Sequence, residues 1–368
     1  MDFSAIAGLT RHSFHYNQIM MRHSLGEKLS FTRKIVWANF CNSAGEPLKR
    51  SIEIRTNPIS FRTSRISGSR SMEKETGTEA LPHPPPEADN TSCCPFCKAQ
   101  LDTMTPRLNT DFFSAGRLRL GRSTLFPNLY PYGNYSAVSL IDDSHFVEIG
   151  TASTASYQTS FKLAIQYLQE IGKTDPEAKY MAITQNHLPS AGGSLLHPHL
   201  QVNADHVASN HHRFLADRSR QYYRQNGALL FSDYLAQEQK AASRYIGATL
   251  DWHWMAAFAP EGFFEVWGIL PGVRSLLNLS DNHLAGLCEG IINTQRFYRS
   301  LNRNGYNLGL LALESENSRF ELRVVLVVRS NYAPWVRNDH TGFEVMLGDM
   351  ATFIAPELTA EMARKFWS

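Results

Sequence analysis

The hydrophobic and polar positions of this chain fall into a rhythm that occurs twice. "LFPNLYPYGNYSAVSLI" (125–141) is a proline–aromatic turn running into residues that alternate apolar and polar, the period of a half-buried strand, and "MAAFAPEGFFEVWGIL" (255–270) repeats that style. A helical period follows each. In the first, Phe161, Ala164, Ile165, Leu168 and Ile171 lie at helical spacing and Gly172 supplies a stop; in the second, Ser280 is the N-cap before Leu284, Leu287, Cys288, Ile291 and Ile292. Two further strands follow, "YMAITQN" and "YNLGLLAL". Tyr180 stands as far before His197 as Tyr306 before Arg323, so "HPHLQ" (197–201) corresponds to "RVVLV" (323–327). The second copy keeps its strand and loses its histidines.

This pattern divides the chain. Residues 1–92 form an N-terminal segment, in which "RSIEIRTNPISFRTSRI" reads as a strand running into a turn. The first fifty residues otherwise predict only one or two short elements. Residues 67–92 are rich in Ser, Glu and Pro and nearly free of large apolar residues, which predicts a mobile surface linker. The first repeat then covers 93–205, a helical connection 206–250, and a second, degenerate repeat with a C-terminal arm 251–368. The fold class expected is α+β: tandem repeats, each an antiparallel half-barrel sheet with helices on one face.

Composition narrows the function. The chain has 368 residues, 43% of them hydrophobic, enough for a large core; its net charge of +2 is too small to imply a nucleic-acid or membrane partner. No apolar run approaches the roughly 20 residues that span a bilayer. The N-terminus turns polar after about eight residues without a signal core, so a cytoplasmic location is expected. Three of the five cysteines cluster at Cys93, Cys94 and Cys97, which is no disulfide framework and in a reducing compartment reads as a metal site.

Cys94-x-x-Cys97 lets two thiolates reach one tetrahedral zinc, but it is half a site. Histidine is the type expected for the rest, and the candidates are His145, in the turn "DDSH", and His197; Cys93 competes with Cys94. Redox chemistry is the rival, disfavoured because the motif does not open a helix behind a thioredoxin-like strand. In "GGSLLHPHLQ" (192–201), side chains two apart on an extended backbone share a face, so His197, His199 and Gln201 point the same way. Two core histidines are the plainer alternative.

Together, Cys94-x-x-Cys97, the "LFPNLYPY" turn, the isolated His145, Asn186 at a strand end, "GGS" at 192–194, "HPHLQ" and the duplication resemble the galactose-1-phosphate uridylyltransferase branch of the histidine-triad superfamily. The likeness runs from roughly residue 50 to 365. It implies that His199 attacks the α-phosphorus of a nucleotide sugar, forms a nucleotidyl-histidine and releases sugar 1-phosphate, after which a phosphorylated small-molecule acceptor takes the nucleotide. Gln201 stands where the superfamily's hydrolases carry another histidine. An amide orients and donates but carries no proton at neutral pH, which favours transfer over hydrolysis.

The resemblance further implies phosphate contacts by Gly193 and Ser194, a place for Asn186 near the nucleophile and substrate phosphates, and an arginine pair, Arg62 and Arg65, approaching the nucleotide. Cys94, Cys97, His145 and His197 become the ligands of one structural zinc, with His197 holding metal while His199 does chemistry. Phe343 and Glu344 match an aromatic–Glu pair reaching the substrate site, and a homodimer is common. The pattern also departs. A second histidine metal site of some members is replaced by Arg323 and Val325, so no second metal is expected; Leu200 stands for a small glycine; a lysine and a glutamine near Glu344 are missing, with His340 a substitute. Two other readings stay open: a nucleotide-sugar or dinucleotide phosphorylase, and an inactive zinc-stabilised nucleotide-binding protein. No residue specifies the base or the sugar.

Overall fold

The computed structural model describes residues 29–67, 81–332, 340 and 342–367. Half of the expected linker, 68–80, lies outside the described residues; its end carries one 3-10 turn, Pro86–Asp89. The described residues begin with a long hairpin, β1 (Thr32–Cys41) and β2 (Pro47–Thr56), followed by β3 (Thr63–Ile66). Five strands make the first half of the main sheet: β4 (Leu118–Leu120), β5 (Ser123–Pro127), β6 (Tyr135–Leu140), β7 (Tyr180–His187) and β8 (His199–Asp205). Five more make the second: β9 (Tyr245–Thr249), β10 (Trp252–Ala256), β11 (Phe263–Ile269), β12 (Tyr306–Leu313) and β13 (Arg323–Val328). A last strand, β14 (Met350–Thr352), returns to the hairpin and pairs parallel with β3.

The ten strands form one antiparallel sheet in the order β4-β5-β6-β8-β7-β12-β13-β11-β10-β9. Its two halves are mirror images in strand order and meet where β7 pairs with β12. The expected half-barrels are thus continuous with each other. Alternation places the faces: Tyr306, Leu308, Leu310 and Ala312 of β12 are buried against helices, while Asn307, Gly309 and Leu311 face the other way. Tyr180 is half-buried on this second face and Tyr306 on the first, so the two tyrosines that set the repeat's pacing do not occupy like positions. The histidine strand and its counterpart do agree, since Arg323, Val325 and Val327 are on the same face as Gln201 and Thr184.

Six α-helices complete the described residues: α1 (Lys98–Met104), α2 (Thr154–Thr174), α3 (Asn210–Asn226), α4 (Leu230–Ala241), α5 (Asp281–Ser300) and α6 (Pro356–Arg364). α2 and α5 pack on one face through Phe161, Leu168, Leu287 and Ile291. Helices are not confined to that face. Leu215 of α3 and Phe231 and Tyr234 of α4 cover Met255, Trp267 and Ile269 on the opposite side of the second half, because α3 and α4 each carry an apolar stripe of their own. Ser280 caps α5 as expected, forming a capping box with His283. Gly172 is not a stop, since α2 runs on to Thr174; an added Cβ there would come within 3.0 Å of Leu277, so the glycine serves close packing instead.

Candidate active site

The site is built where three loops converge on the start of β8. Cys94, Cys97, His145 and His197 have one ligand atom each within 4.8 Å of all the others. Cys97 Sγ lies 3.3 Å from His145 Nδ1 and 3.8 Å from His197 Nδ1, and Cys94 Sγ 3.9 Å from His197 Nδ1. A tetrahedron with metal–sulfur and metal–nitrogen bonds of about 2.3 and 2.0 Å has edges of roughly 3.5 Å. The donor set therefore fits a metal ion of zinc's size. The tautomers fit too: His197 Nε2 donates to the Asp142 carbonyl (2.9 Å) and His145 Nε2 to that of Glu87 (3.1 Å), which leaves both Nδ1 lone pairs toward the thiols. Burial, then the neighbouring Cys94, pushes the Cys97 thiol up to about 11, so a cation is needed to hold its thiolate at neutral pH.

Cys93 is exposed, its sulfur 3.7 Å from Ser92 Oγ, and stays outside the cluster. Cys97 is the N-cap residue of α1, so the motif does lead into a short helix, though not the helix behind a strand that redox chemistry of the thioredoxin kind needs. Among the described residues no strand leads into it.

His199 begins β8 two residues beyond His197. Its Nδ1 donates to the His197 carbonyl at 2.8 Å, and its ring meets Phe96 edge-to-face, centroids 5.3 Å apart. That tautomer leaves the lone pair on Nε2, which has no hydrogen-bond partner among the described residues. Burial lowers the pKa of this imidazole, partly offset by the bond to His197. Gln201, on the same face of β8, is opposite Thr184 of β7 and Val138 of β6.

Asn186, one pair further along β7, is fixed from the second half of the chain. Asn307 Nδ2 donates both to Asn186 Oδ1 (2.7 Å) and to the Ala191 carbonyl (2.8 Å), and Arg329 donates to Asn307 Oδ1 (2.7 Å). A carbonyl only accepts and a guanidinium only donates, so Asn307 can be oriented one way. Asn186 must then accept from it, and its own NH2 is turned away. Sequence reasoning missed Asn307 and Arg329; a lone amide in the apolar run "YNLGLLAL" was the available signal.

The loop 188–194 closes over this region. Leu188 has φ of 71° and Gly192 of 87°, and a Cβ on Gly193 would lie 2.9 Å from the Asn186 carbonyl oxygen and 3.1 Å from that of Leu188. Ser194 is exposed at its end. The other expected residues are scattered. Arg62 pairs with Glu261 at 3.0 Å and lines a cavity that Asn186 also lines, whereas Arg65 pairs with Asp349 at 2.9 Å beside Phe343. Glu344 accepts from the Ala351 amide (3.4 Å) in the arm that carries β14. His340 is exposed beside Arg329, and the residues around it, 333–339 and 341, lie outside the described residues. Within the described residues no helix is long and apolar enough to cross a membrane.

No protein-family model matches the chain. It is 30% identical over 326 residues to an uncharacterized protein of Archaeoglobus fulgidus, which covers 88% of this chain and 95% of that one. Among solved structures, it is similar to an ADP-glucose phosphorylase of Arabidopsis thaliana with bound ADP-glucose (TM-score 0.67, 19% identity, 86% of this chain and 99% of that chain). A GalT-like protein of the same plant gives a TM-score of 0.61 at 20% identity over 74% of this chain and 92% of the other. A uridylyltransferase gives 0.62 at 18% over 85% and 98%. The chain thus belongs to one family with the archaeal protein, and it shares the fold of the ADP-glucose phosphorylase, the GalT-like protein and the uridylyltransferase.

Proposed function

We propose that the protein is a nucleotidyltransferase that moves a nucleoside monophosphate from a nucleotide sugar to a phosphorylated small molecule through His199. The observation carrying this reading is the His199 tautomer: Nδ1 is committed to the His197 carbonyl, and the Nε2 lone pair is left to attack. Attack forms the Nε2–Pα bond as the bond from Pα to the bridging oxygen breaks, and sugar 1-phosphate departs with that electron pair. An oxygen of the acceptor phosphate then displaces His199 and restores the free imidazole. The Asn186 NH2, turned away from Asn307, is the donor for a phosphoryl oxygen; Gln201 and Ser194 are further donors, and Gly193 admits the backbone.

Zinc held by Cys94, Cys97, His145 and His197 would be structural in this scheme, since the four side chains would fill a tetrahedron and both histidines are already oriented by backbone carbonyls. It fixes the residue whose carbonyl orients the nucleophile. Tandem duplication, with 93–205 and 251–368 as the two units and 206–250 as the helical connection, is supported by the mirrored strand order. The shared fold of an ADP-glucose phosphorylase favours one variant, in which inorganic phosphate discharges the same adduct.

The test is covalent labelling. Protein incubated with UDP-glucose, ADP-glucose or a GDP-sugar labelled in the α-phosphate yields acid-labile label on His199, and His199→Gly removes it while folding normally. Discharge by sugar 1-phosphate against inorganic phosphate separates transferase from phosphorylase. Zinc-replete protein that takes label from none of the donors would sink the reading.

A further inference from the structure

The face of the sheet beyond Asn186 carries a cavity of about 930 Å³ that nucleotidyl transfer does not use at its far end. Its floor there is Arg323, the residue that stands where the first repeat has His197. The guanidinium lies over two rings, 4.1 Å from the centroid of Trp267 and 5.0 Å from that of Phe231. The two aromatic contacts hold the guanidinium in place without using its N–H donors. Among the described residues the Arg323 guanidinium makes no hydrogen bond and no ion pair.

The nearest acidic groups are already engaged. Glu265 accepts at one oxygen from the backbone of Glu261 and Gly262 and at the other from the Trp267 indole. Burial, then Glu261, pushes its carboxyl up to about 7. Glu261 is held by Asn57, Ser60 and Arg62. Arg323 is half-buried and lines the cavity, so its unused donors are open to an anion, which would gain a charge-assisted pair there. The walls above it, Phe214, Leu311, Phe320 and Val325, are apolar, and the volume falls within the range of small-molecule sites.

We infer that this cavity binds a small organic acid, its carboxylate paired edge-on with Arg323 and its apolar body against Phe214 and Phe320. A planar carboxylate matches the guanidinium fork, and the two glutamates at the same wall disfavour a dianion such as phosphate. The site is separate from the reacting phosphorus. Arg323 pairs with Leu311, Leu311 with Ala182, and Ala182 with Asn203, which places it three strands across and four residues along from His199, roughly 15–20 Å by sheet spacings.

Calorimetric titration of the full chain with benzoate and 2-naphthoate, set against benzamide and inorganic phosphate, tests this. Both carboxylates are expected to bind saturably and at least about tenfold more tightly than benzamide or phosphate, as a lost charge-assisted pair predicts. R323Q loses that advantage, V325F narrows the cavity and blocks binding with Arg323 intact, and H199G binds like the wild type. No carboxylate binding to wild type, equal binding of benzamide, or undiminished binding to folded R323Q and V325F would each overturn the inference. Because H199G keeps this binding and loses covalent labelling, failure here is distinct from failure of the transferase reading.

Discussion

Asn307 donates a 2.7 Å hydrogen bond to Asn186 across the seam where β7 meets β12, so a residue of the second half orients an amide in the first. Its own orientation is dictated by the Ala191 carbonyl and by Arg329. Asn307→Asp keeps the size and the partner Arg329 but can no longer donate. The Asn186 amide then turns its NH2 toward the new carboxylate and presents its oxygen to substrate phosphate. The single-turnover rate of adduct formation should fall about 100- to 1000-fold, the worth of one donor aimed at developing charge, with little change in zinc content. A well-folded N307D protein reacting at the wild-type rate would remove Asn186 from the chemistry.

Gly193 and Gly192 make a sharper comparison than either alone. At Gly193 an alanine methyl would meet two backbone oxygens, at 2.9 and 3.1 Å, which cannot move as a flexible side chain would. At Gly192 it would meet open space, and the cost is only that of φ at 87°. Gly193→Ala should therefore lose about 1–3 kcal/mol of stability by crowding and slow adduct formation by displacing Asn186. Gly192→Ala should lose about 1 kcal/mol and leave the rate near normal. Urea unfolding and single-turnover rates measure both; equal effects would show that the loop yields freely.

The parts of this fold that were legible in the sequence are those set by local periodicity. The alternation at 125–141 and 255–270, the helix behind Ser280 and the two apolar strands beginning at Tyr180 and Tyr306 all formed where the pattern put them. The four-residue Cys–His cluster came together because its members were chosen by chemistry, which does not depend on register. What was not legible depended on contacts between distant segments. Arg62 and Arg65 share a short stretch, yet one turns to Glu261 and the other to Asp349 in the C-terminal arm, because β3 joins β2 on one side and β14 on the other. The Tyr180–Tyr306 spacing coincided without meaning equivalence, since one residue of shift on a strand reverses the face. Asn307 gave no signal because its partners, at Asn186, Ala191 and Arg329, lie on other segments.

Metal removal separates the cluster's four members from their exposed neighbour. Each ligand is deprotonated at the binding atom when metal is held, so removal by chelator at neutral pH should be accompanied by proton uptake and a lower melting temperature. His197→Ala and Cys94→Ser should each reduce bound zinc well below one per chain by atomic emission. Cys93→Ser should keep full zinc, because its sulfur faces Ser92 and solvent. Unchanged zinc in the His197→Ala protein would refute the separation of metal-holding His197 from reactive His199.

The N-terminal hairpin and the C-terminal helix are joined by a charge cluster whose pH dependence has two opposite parts. Glu357 accepts from Arg55 at 2.8 Å and from Arg244 at 2.9 Å, and Arg244 also pairs with the buried Glu238. Burial pushes the Glu357 carboxyl up, but Arg55 and Arg244 outweigh it and hold it at about 2. Its folded value lies below the usual 4.5, so its contribution to stability is complete above that pH and is lost as pH falls from 4.5 toward 2. Glu238 is raised above 4.5, chiefly by burial, so its protonation acts above that pH and in the opposite direction, favouring the folded state as pH falls. Glu357→Gln should therefore cost about 2 kcal/mol at pH 6, less than a fully buried broken pair because the side chain keeps some solvent contact. Between pH 4.5 and 2.5 the gap between wild type and variant should close, read from urea midpoints at each pH. A gap that stays constant over this window would show that Glu357 is not held ionised by its two arginines.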